Sequence, residues 1–130
     1  MNPPYTAKKI LIIDDDLTTI KLVESRLSAN GYLVIALSEA ALGLEAAFKQ
    51  KPDLIVLDVM MPIVNGFNFC RLLKSQEEHR HIPVILLTSR SEDKDRKIGQ
   101  EVGANAYLTK PVNADELLNT IKELLMNSRS

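Results

Sequence analysis

Four short apolar runs in this chain each lead to side chains that can do chemistry. The run that begins at Ile10 leads to Asp14, Asp15 and Asp16, and the run from Leu54 leads to Asp58. The run from Val84 leads to Thr88, and the run from Ala106 leads to Lys110. Short apolar runs bounded by polar residues are typical of buried strands in a parallel sheet, whose polar crevice lies at the carboxyl ends of the strands. We therefore expect these groups to meet at one edge of one sheet. Together they could hold a divalent cation and a phosphoryl group.

The acidic residues predict a metal site. Asp14, Asp15 and Asp58 would repel one another at this edge, and a hard divalent cation with oxygen ligands, Mg²⁺ above all, would relieve the repulsion. The alternative is that residues 14–16 only cap the first helix, because acidic side chains favour helix N-termini. Capping leaves unexplained why Asp58, Thr88 and Lys110 stand at three other strand ends.

Strand-like and helix-like segments alternate five times along the chain, which predicts an α/β sandwich with a parallel sheet and right-handed crossovers. Tyr32 to Leu37 is predicted as the second strand, and Ser38 as the cap of the helix that follows it. A mostly polar helix is predicted from about Glu92 to Val102. Asn113 and Glu116 form a capping pair for the last helix.

Length and composition bound the function. The 130 residues suit one domain, which we place at 9–126 between short tails at 1–8 and 127–130. Sixteen basic residues nearly balance seventeen acidic ones, so no charge excess favours binding to nucleic acid or to a membrane. A single cysteine, Cys70, allows no internal disulfide and fits a cytoplasmic setting. Only a few polar residues follow Met126, so we expect a single domain, stand-alone or excised, with no DNA-binding or catalytic segment after it.

The motifs together resemble the response-regulator receiver domain of bacterial two-component signalling, from about Lys9 to Leu125. The residues that carry the resemblance are Asp14-Asp15, Leu57-Asp58-Val59-Met60-Met61-Pro62 with Gly66, Thr88-Ser89, and Tyr107-Leu108-Thr109-Lys110-Pro111. The resemblance implies a flavodoxin-like (βα)5 three-layer sandwich with a five-stranded parallel sheet in the order 2-1-3-4-5.

The resemblance also implies a role for each site residue. Asp58 would be the phospho-acceptor and Lys110 the ammonium that pairs with it, next to a cis peptide bond before Pro111. Thr88 would bond the phosphoryl group and Tyr107 would move with it, so both are switch residues. The implied metal ligands for Mg²⁺, or Mn²⁺ in its place, are Asp15 directly, its neighbour Asp14, Asp58, and the backbone carbonyl of Met60.

The partners implied by the resemblance are a sensor histidine kinase or a histidine phosphotransfer protein, and an unknown downstream protein. The output face would be helix 4, strand 5 and helix 5, and a phosphorylation-dependent dimer is one form of output. The only chemistry implied is phosphoryl transfer to the domain itself and self-dephosphorylation, so the chain is not expected to be an enzyme. Met60 and Arg90, each two residues after a site residue, predict slow self-dephosphorylation.

An enzyme is the main rival hypothesis. Asp14-x-Asp16-x-Thr18 after a strand matches the opening motif of haloacid-dehalogenase-like phosphatases, with Asp14 as nucleophile and Asp16 as general acid. That hypothesis leaves the segment from Asp58 to Gly66 unexplained, and the chain has no room for a substrate-selecting cap. A flavodoxin-like cofactor carrier is a weaker rival, because the scattered glycines form no phosphate-cradling loop.

Overall fold

Strands and helices alternate along the chain, as the sequence predicts. The computed structural model describes residues 7–61, 65–89 and 93–127. The strands of this described part are β1 (Lys9–Ile13), β2 (Leu33–Leu37), β3 (Leu54–Asp58), β4 (Val84–Thr88) and β5 (Ala106–Thr109). The helices are α1 (Leu17–Ala29), α2 (Ala40–Lys49), α3 (Gly66–Lys74), α4 (Asp93–Glu101) and α5 (Ala114–Asn127).

The five strands form one parallel sheet in the order β2-β1-β3-β4-β5. All five residues of β3 and all five of β4 are buried, as expected for central strands covered on both faces. The fold class and the strand order expected from the resemblance are therefore confirmed.

Alternating side chains of the strands supply two apolar layers. Leu11 and Ile13 of β1 face a layer built with α2, α3 and α4, whereas Ile10 and Ile12 face a layer built with α1 and α5. The period of two residues along each strand is what divides the core in this way. Helices thus cover both faces of the sheet, and the three-layer sandwich is confirmed.

Two element boundaries differ from the sequence prediction. Tyr32 lies outside β2 because its N–H donates to the carbonyl of Leu27 and completes the end of α1. Ser38 is not the cap of α2, because Glu39 takes the extended N-cap conformation and the helix begins at Ala40. By contrast, Asn113 Oδ1 accepts from the N–H of Glu116 at 3.0 Å, as a cap for α5 requires.

Three predicted positions, Pro62, Arg90 and Glu92, lie outside the described residues, as do most of the N-terminal tail and the last three residues. No helix in the described part of the chain has the length and hydropathy needed to cross a bilayer.

Candidate phosphoryl and metal site

The register of the sheet brings the predicted site residues to one edge. Ile13 of β1 pairs with Leu57 of β3, so Asp14 and Asp58 follow paired residues on neighbouring strands. In the same way Thr88 pairs with Thr109, and Lys110 is the next residue. Each polar side chain therefore stands where its strand ends, as the sequence predicts for a parallel sheet.

Three carboxylates form a tight cluster at this edge. One oxygen from each of Asp14, Asp15 and Asp58 lies within 4.8 Å of the others. Asp14 is fully buried and Asp58 is 3% exposed, whereas Asp15 faces solvent. Backbone donors orient the two buried groups, because Asp14 Oδ1 accepts from the N–H of Asp16 at 2.9 Å and Asp58 Oδ1 from the N–H of Met60 at 3.2 Å.

Lys110 reaches into the acidic cluster from the end of β5. Its Nζ lies 2.8 Å from Asp14 Oδ2 and 3.5 Å from Asp58 Oδ1, so the ammonium pairs more closely with Asp14 than with Asp58. Its own N–H donates to the carbonyl of Thr88 at 2.7 Å, and the peptide bond to Pro111 is cis, as the resemblance implied. Burial alone would lower the pKa of the Lys110 ammonium, but the hydrogen bond and the charge of Asp14 raise it, so the group stays protonated.

The electrostatics of the cluster fit a cation. Burial, the largest cause, and the negative charge of Asp14 together raise the pKa of Asp58 to about 7. The charge of Lys110 and the N–H of Met60 oppose this shift without cancelling it. Among the described residues, three carboxylates of this cluster face one ammonium, so negative charge is left over. Hard oxygen donors at this spacing suit Mg²⁺ or Mn²⁺. Asp14, Asp15 and Asp58 are thus the side chains that could hold the ion.

The start of α3 lies directly against the end of β3. A Cβ atom on Gly66 would lie 2.5 Å from the Asp58 carbonyl oxygen and 2.8 Å from Val59 Cα. The N–H of Gly66 donates to the Val59 carbonyl at 2.9 Å, and Asn65 caps the helix through the N–H of Asn68. Only glycine allows this approach without displacing backbone, so Gly66 helps to fix the position of Asp58.

The remaining predicted residues lie on, or just after, the strands that carry this cluster. Thr88 is fully buried at the end of β4, and Tyr107 is partly buried on β5. Met60 is 51% exposed and lies two residues beyond Asp58.

Comparison with known proteins decides the family. The sequence profile of the response regulator receiver domain matches residues 10–122. The chain belongs to this family. Receiver domains are signalling domains that work with histidine kinases and downstream effectors, and they bind Mg²⁺ at an acidic pocket. The interpretation as a signalling domain of a two-component system is therefore confirmed at the level of the family.

Curated relatives and solved structures agree with this assignment. Alkaline phosphatase synthesis transcriptional regulatory protein PhoP of Bacillus subtilis is 39% identical, over 93% of this chain and 50% of that protein. Protein PilH of Pseudomonas aeruginosa is 37% identical, over 90% of this chain and 97% of PilH. The structure of chemotaxis response regulator CheY4 of Vibrio cholerae has a TM-score of 0.86 at 31% identity, covering 92% of this chain and 99% of CheY4. This receiver spans about half the length of the first curated relatives that it matches.

The ionised state of Asp16 contradicts the phosphatase hypothesis, as does the membership of the chain in the receiver family. The hydrogen bond from Thr19 is the largest cause that lowers the pKa of Asp16, and the N–H of Thr18 adds to it. This carboxylate is the N-cap of α1, so it is ionised at neutral pH and holds no proton to donate as a general acid. The capping interpretation is therefore correct for Asp16 but does not extend to Asp14 and Asp15.

Sequence reasoning missed one residue of the receiver that contacts a predicted switch residue. The Arg96 guanidinium carbon lies 5.1 Å from the centre of the Tyr107 ring. Arg96 belongs to the mostly polar helix predicted from about Glu92 to Val102, and that pattern alone gives no signal for this contact.

Proposed function

We propose that this receiver is a phosphorylation switch in which Asp58 accepts a phosphoryl group from a phosphohistidine. The observation that carries the proposal is the placement of Asp58, a nearly buried carboxylate at the end of β3 with Lys110 Nζ at 3.5 Å and two further carboxylates beside it. A nucleophile, an ammonium and a cation site within one cluster are the parts that phosphoryl transfer needs.

The chemistry proposed for Asp58 is a single displacement. A carboxylate oxygen forms a bond to phosphorus while the bond from phosphorus to the donor imidazole nitrogen breaks, and that nitrogen takes up a proton. The product is an acyl phosphate on Asp58. Lys110 moves from pairing with carboxylates to pairing with the phosphoryl oxygens, a short shift for an ammonium already 3.5 Å from Asp58.

Mg²⁺ is the proposed cofactor, and Mn²⁺ would serve in its place. Its side-chain ligands would be Asp15, Asp14 and Asp58, and the fourth protein ligand would be the backbone carbonyl of Met60. The bound ion supplies positive charge that neutralises the carboxylates and the incoming phosphoryl oxygens. The spacing of the acidic oxygens within 4.8 Å supports this assignment.

Thr88 and Tyr107 are the proposed switch. The Thr88 hydroxyl, at the end of the strand beside β3, would bond the phosphoryl group, and the Tyr107 ring would fill the space it leaves. The face formed by α4, β5 and α5 would then bind a downstream protein or a second copy of the chain. The phosphoryl donor would be a sensor histidine kinase or a histidine phosphotransfer protein, in the cytoplasm.

Chemical phosphorylation tests the acceptor. Incubation with acetyl phosphate and Mg²⁺ should add one hydroxylamine-sensitive phosphoryl group, detected by intact mass and mapped to Asp58. Asp58→Asn should abolish the adduct, whereas Asp16→Asn, which keeps a capping side chain on α1, should retain it. An adduct mapped to Asp14, or one that persists in Asp58→Asn, would refute the proposal.

A second measurement tests the metal ligand. Asp15→Asn removes a charged oxygen from the proposed site, so Mg²⁺ affinity and the rate of phosphorylation should fall together. Titration calorimetry measures the affinity. Asp16→Asn serves again as the control, because Asp16 caps α1 and lies outside the acidic cluster. Unchanged Mg²⁺ affinity in Asp15→Asn would contradict the assignment.

A further inference from the structure

The side chain of Tyr107 rests in a slot between α4 and β4. Arg96 and Gly99, three residues apart, lie on the same side of the helix. The Arg96 guanidinium carbon is 5.1 Å from the ring centre, and a Cβ atom on Gly99 would lie 3.0 Å from Tyr107 Cδ2 and 3.5 Å from Leu86 Cδ1. We call Arg96, Gly99 and Leu86 the tyrosine slot.

Arg96 also binds the strand that carries Tyr107. Its Nη1 lies 3.5 Å from the Tyr107 carbonyl oxygen, and its Nη2 lies 3.5 Å from Thr109 Oγ1. One guanidinium therefore contacts the ring, the backbone of the same residue and the next side chain on that face of β5. Arginine suits this task because its planar group can lie against a ring while its N–H groups donate at the edge.

We propose that Arg96 is a positioning residue that sets the resting bias of the switch by holding Tyr107 in this slot. The inference rests on the proposed role of Tyr107. The ring is partly exposed and Arg96 is exposed, whereas the Thr88 position towards which the ring would move is fully buried. Movement of the ring inward therefore separates it from the guanidinium, and the lost contact opposes activation.

The size of the bias follows from the kind of contact. A cation over an aromatic ring at an exposed site changes an equilibrium by about two- to fivefold. Loss of Arg96 should raise the population of the inward ring by that factor. A ligand that binds the inward state gains apparent affinity in proportion to the population of that state.

Beryllofluoride, a mimic of the phosphoryl group, measures this population when it is titrated with Mg²⁺ present. Arg96→Met should bind it about two- to fivefold more tightly than the wild type. Lys97→Met, which removes the same charge from the next exposed residue of α4, should match the wild type. Arg96→Lys, which keeps a cation, should bind beryllofluoride with an affinity between those of the wild type and Arg96→Met. Thermal unfolding of each variant separates these effects from loss of fold.

A double-mutant cycle shows whether the effect passes through the ring. In a Tyr107→Leu background, Arg96→Met should leave beryllofluoride affinity unchanged, since no ring is left to hold. The inference would be overturned if Arg96→Met bound beryllofluoride no more tightly than the wild type. It would also be overturned if Arg96→Met raised beryllofluoride affinity by the same factor in the Tyr107→Leu background. If the wild type binds no beryllofluoride, or Asp58→Asn binds it equally well, the proposed function itself fails.

Discussion

A buried carboxylate at position 58 costs the folded domain free energy when it is ionised. Its pKa rises from 3.8 to about 7 because of burial and the charge of Asp14. Well below pH 3.8 the group is protonated in both the folded and the unfolded chain and costs nothing. The cost grows as the pH rises and is complete above about pH 7. The proposed nucleophile is thus a source of instability in the metal-free protein.

Asp58→Asn should therefore stabilise the metal-free domain. In EDTA at pH 7.5 we expect a gain of roughly 2 kcal/mol or more in the free energy of unfolding, and a smaller gain at pH 5. Urea denaturation at both pH values measures it. Asp16→Asn should show no such gain, because the pKa of Asp16 is lowered and its charge stabilises α1. A gain that is larger at pH 5 would contradict the account.

Met60 should prolong the phosphorylated state. Its side chain is 51% exposed, lies two residues beyond Asp58, and cannot orient an attacking water by hydrogen bonding. Met60→Asn should speed self-dephosphorylation several-fold, measured as phosphate release from the purified phosphoprotein. Met60→Leu, which also cannot bind water, should not. Release from Met60→Asn at the wild-type rate or slower would refute this role.

The sequence predicts which residues meet at the site but not how their atoms pair. Each of Asp14, Asp58, Thr88 and Lys110 follows an apolar run, so a parallel sheet must bring them to one edge. That Lys110 lies closer to Asp14 than to Asp58, at 2.8 Å against 3.5 Å, depends on side-chain conformations that no sequence pattern encodes.

At the scale of elements, the contact between α3 and the end of β3 determines where Asp58, the proposed nucleophile, lies. Gly66→Ala places a Cβ atom 2.5 Å from the Asp58 carbonyl oxygen, so either α3 or the strand end must move. We expect a loss of roughly 1–3 kcal/mol in unfolding free energy and a slower reaction with acetyl phosphate. Asn68→Ala, an exposed position on the same helix, should have little effect on either. Wild-type stability and reactivity in Gly66→Ala would show that this contact is unimportant.

Element boundaries are harder to predict than the elements themselves. The apolar runs identify β2 and α2. However, the N–H of Tyr32 bonds to the end of α1, and Glu39 rather than Ser38 is the N-cap of α2. Both outcomes depend on local backbone hydrogen bonds, which several neighbouring residues could make equally well. The tyrosine slot was missed for a similar reason, because a charged helix face gives no sign of the ring packed against it.

At the scale of the whole molecule, the alternation of strands and helices predicts a parallel sheet but not its strand order. The order β2-β1-β3-β4-β5 was inferred from the family resemblance, and the structure confirms it. Under the proposed function this order matters, because it places β4 between Asp58 on β3 and Tyr107 on β5. A signal from Asp58 would then have a short path through Thr88 to the face formed by α4, β5 and α5.

Amide hydrogen exchange with and without phosphorylation tests this path most directly. In the wild type, exchange should change in α4, β5 and the start of α5, and much less in α2. Thr88→Ala should still be phosphorylated at Asp58 yet lose most of the change, whereas Ser89→Ala, at the exposed neighbouring hydroxyl, should keep it. Changes confined to α1 and α2, or a full response in Thr88→Ala, would contradict the proposal that phosphorylation of Asp58 switches this face.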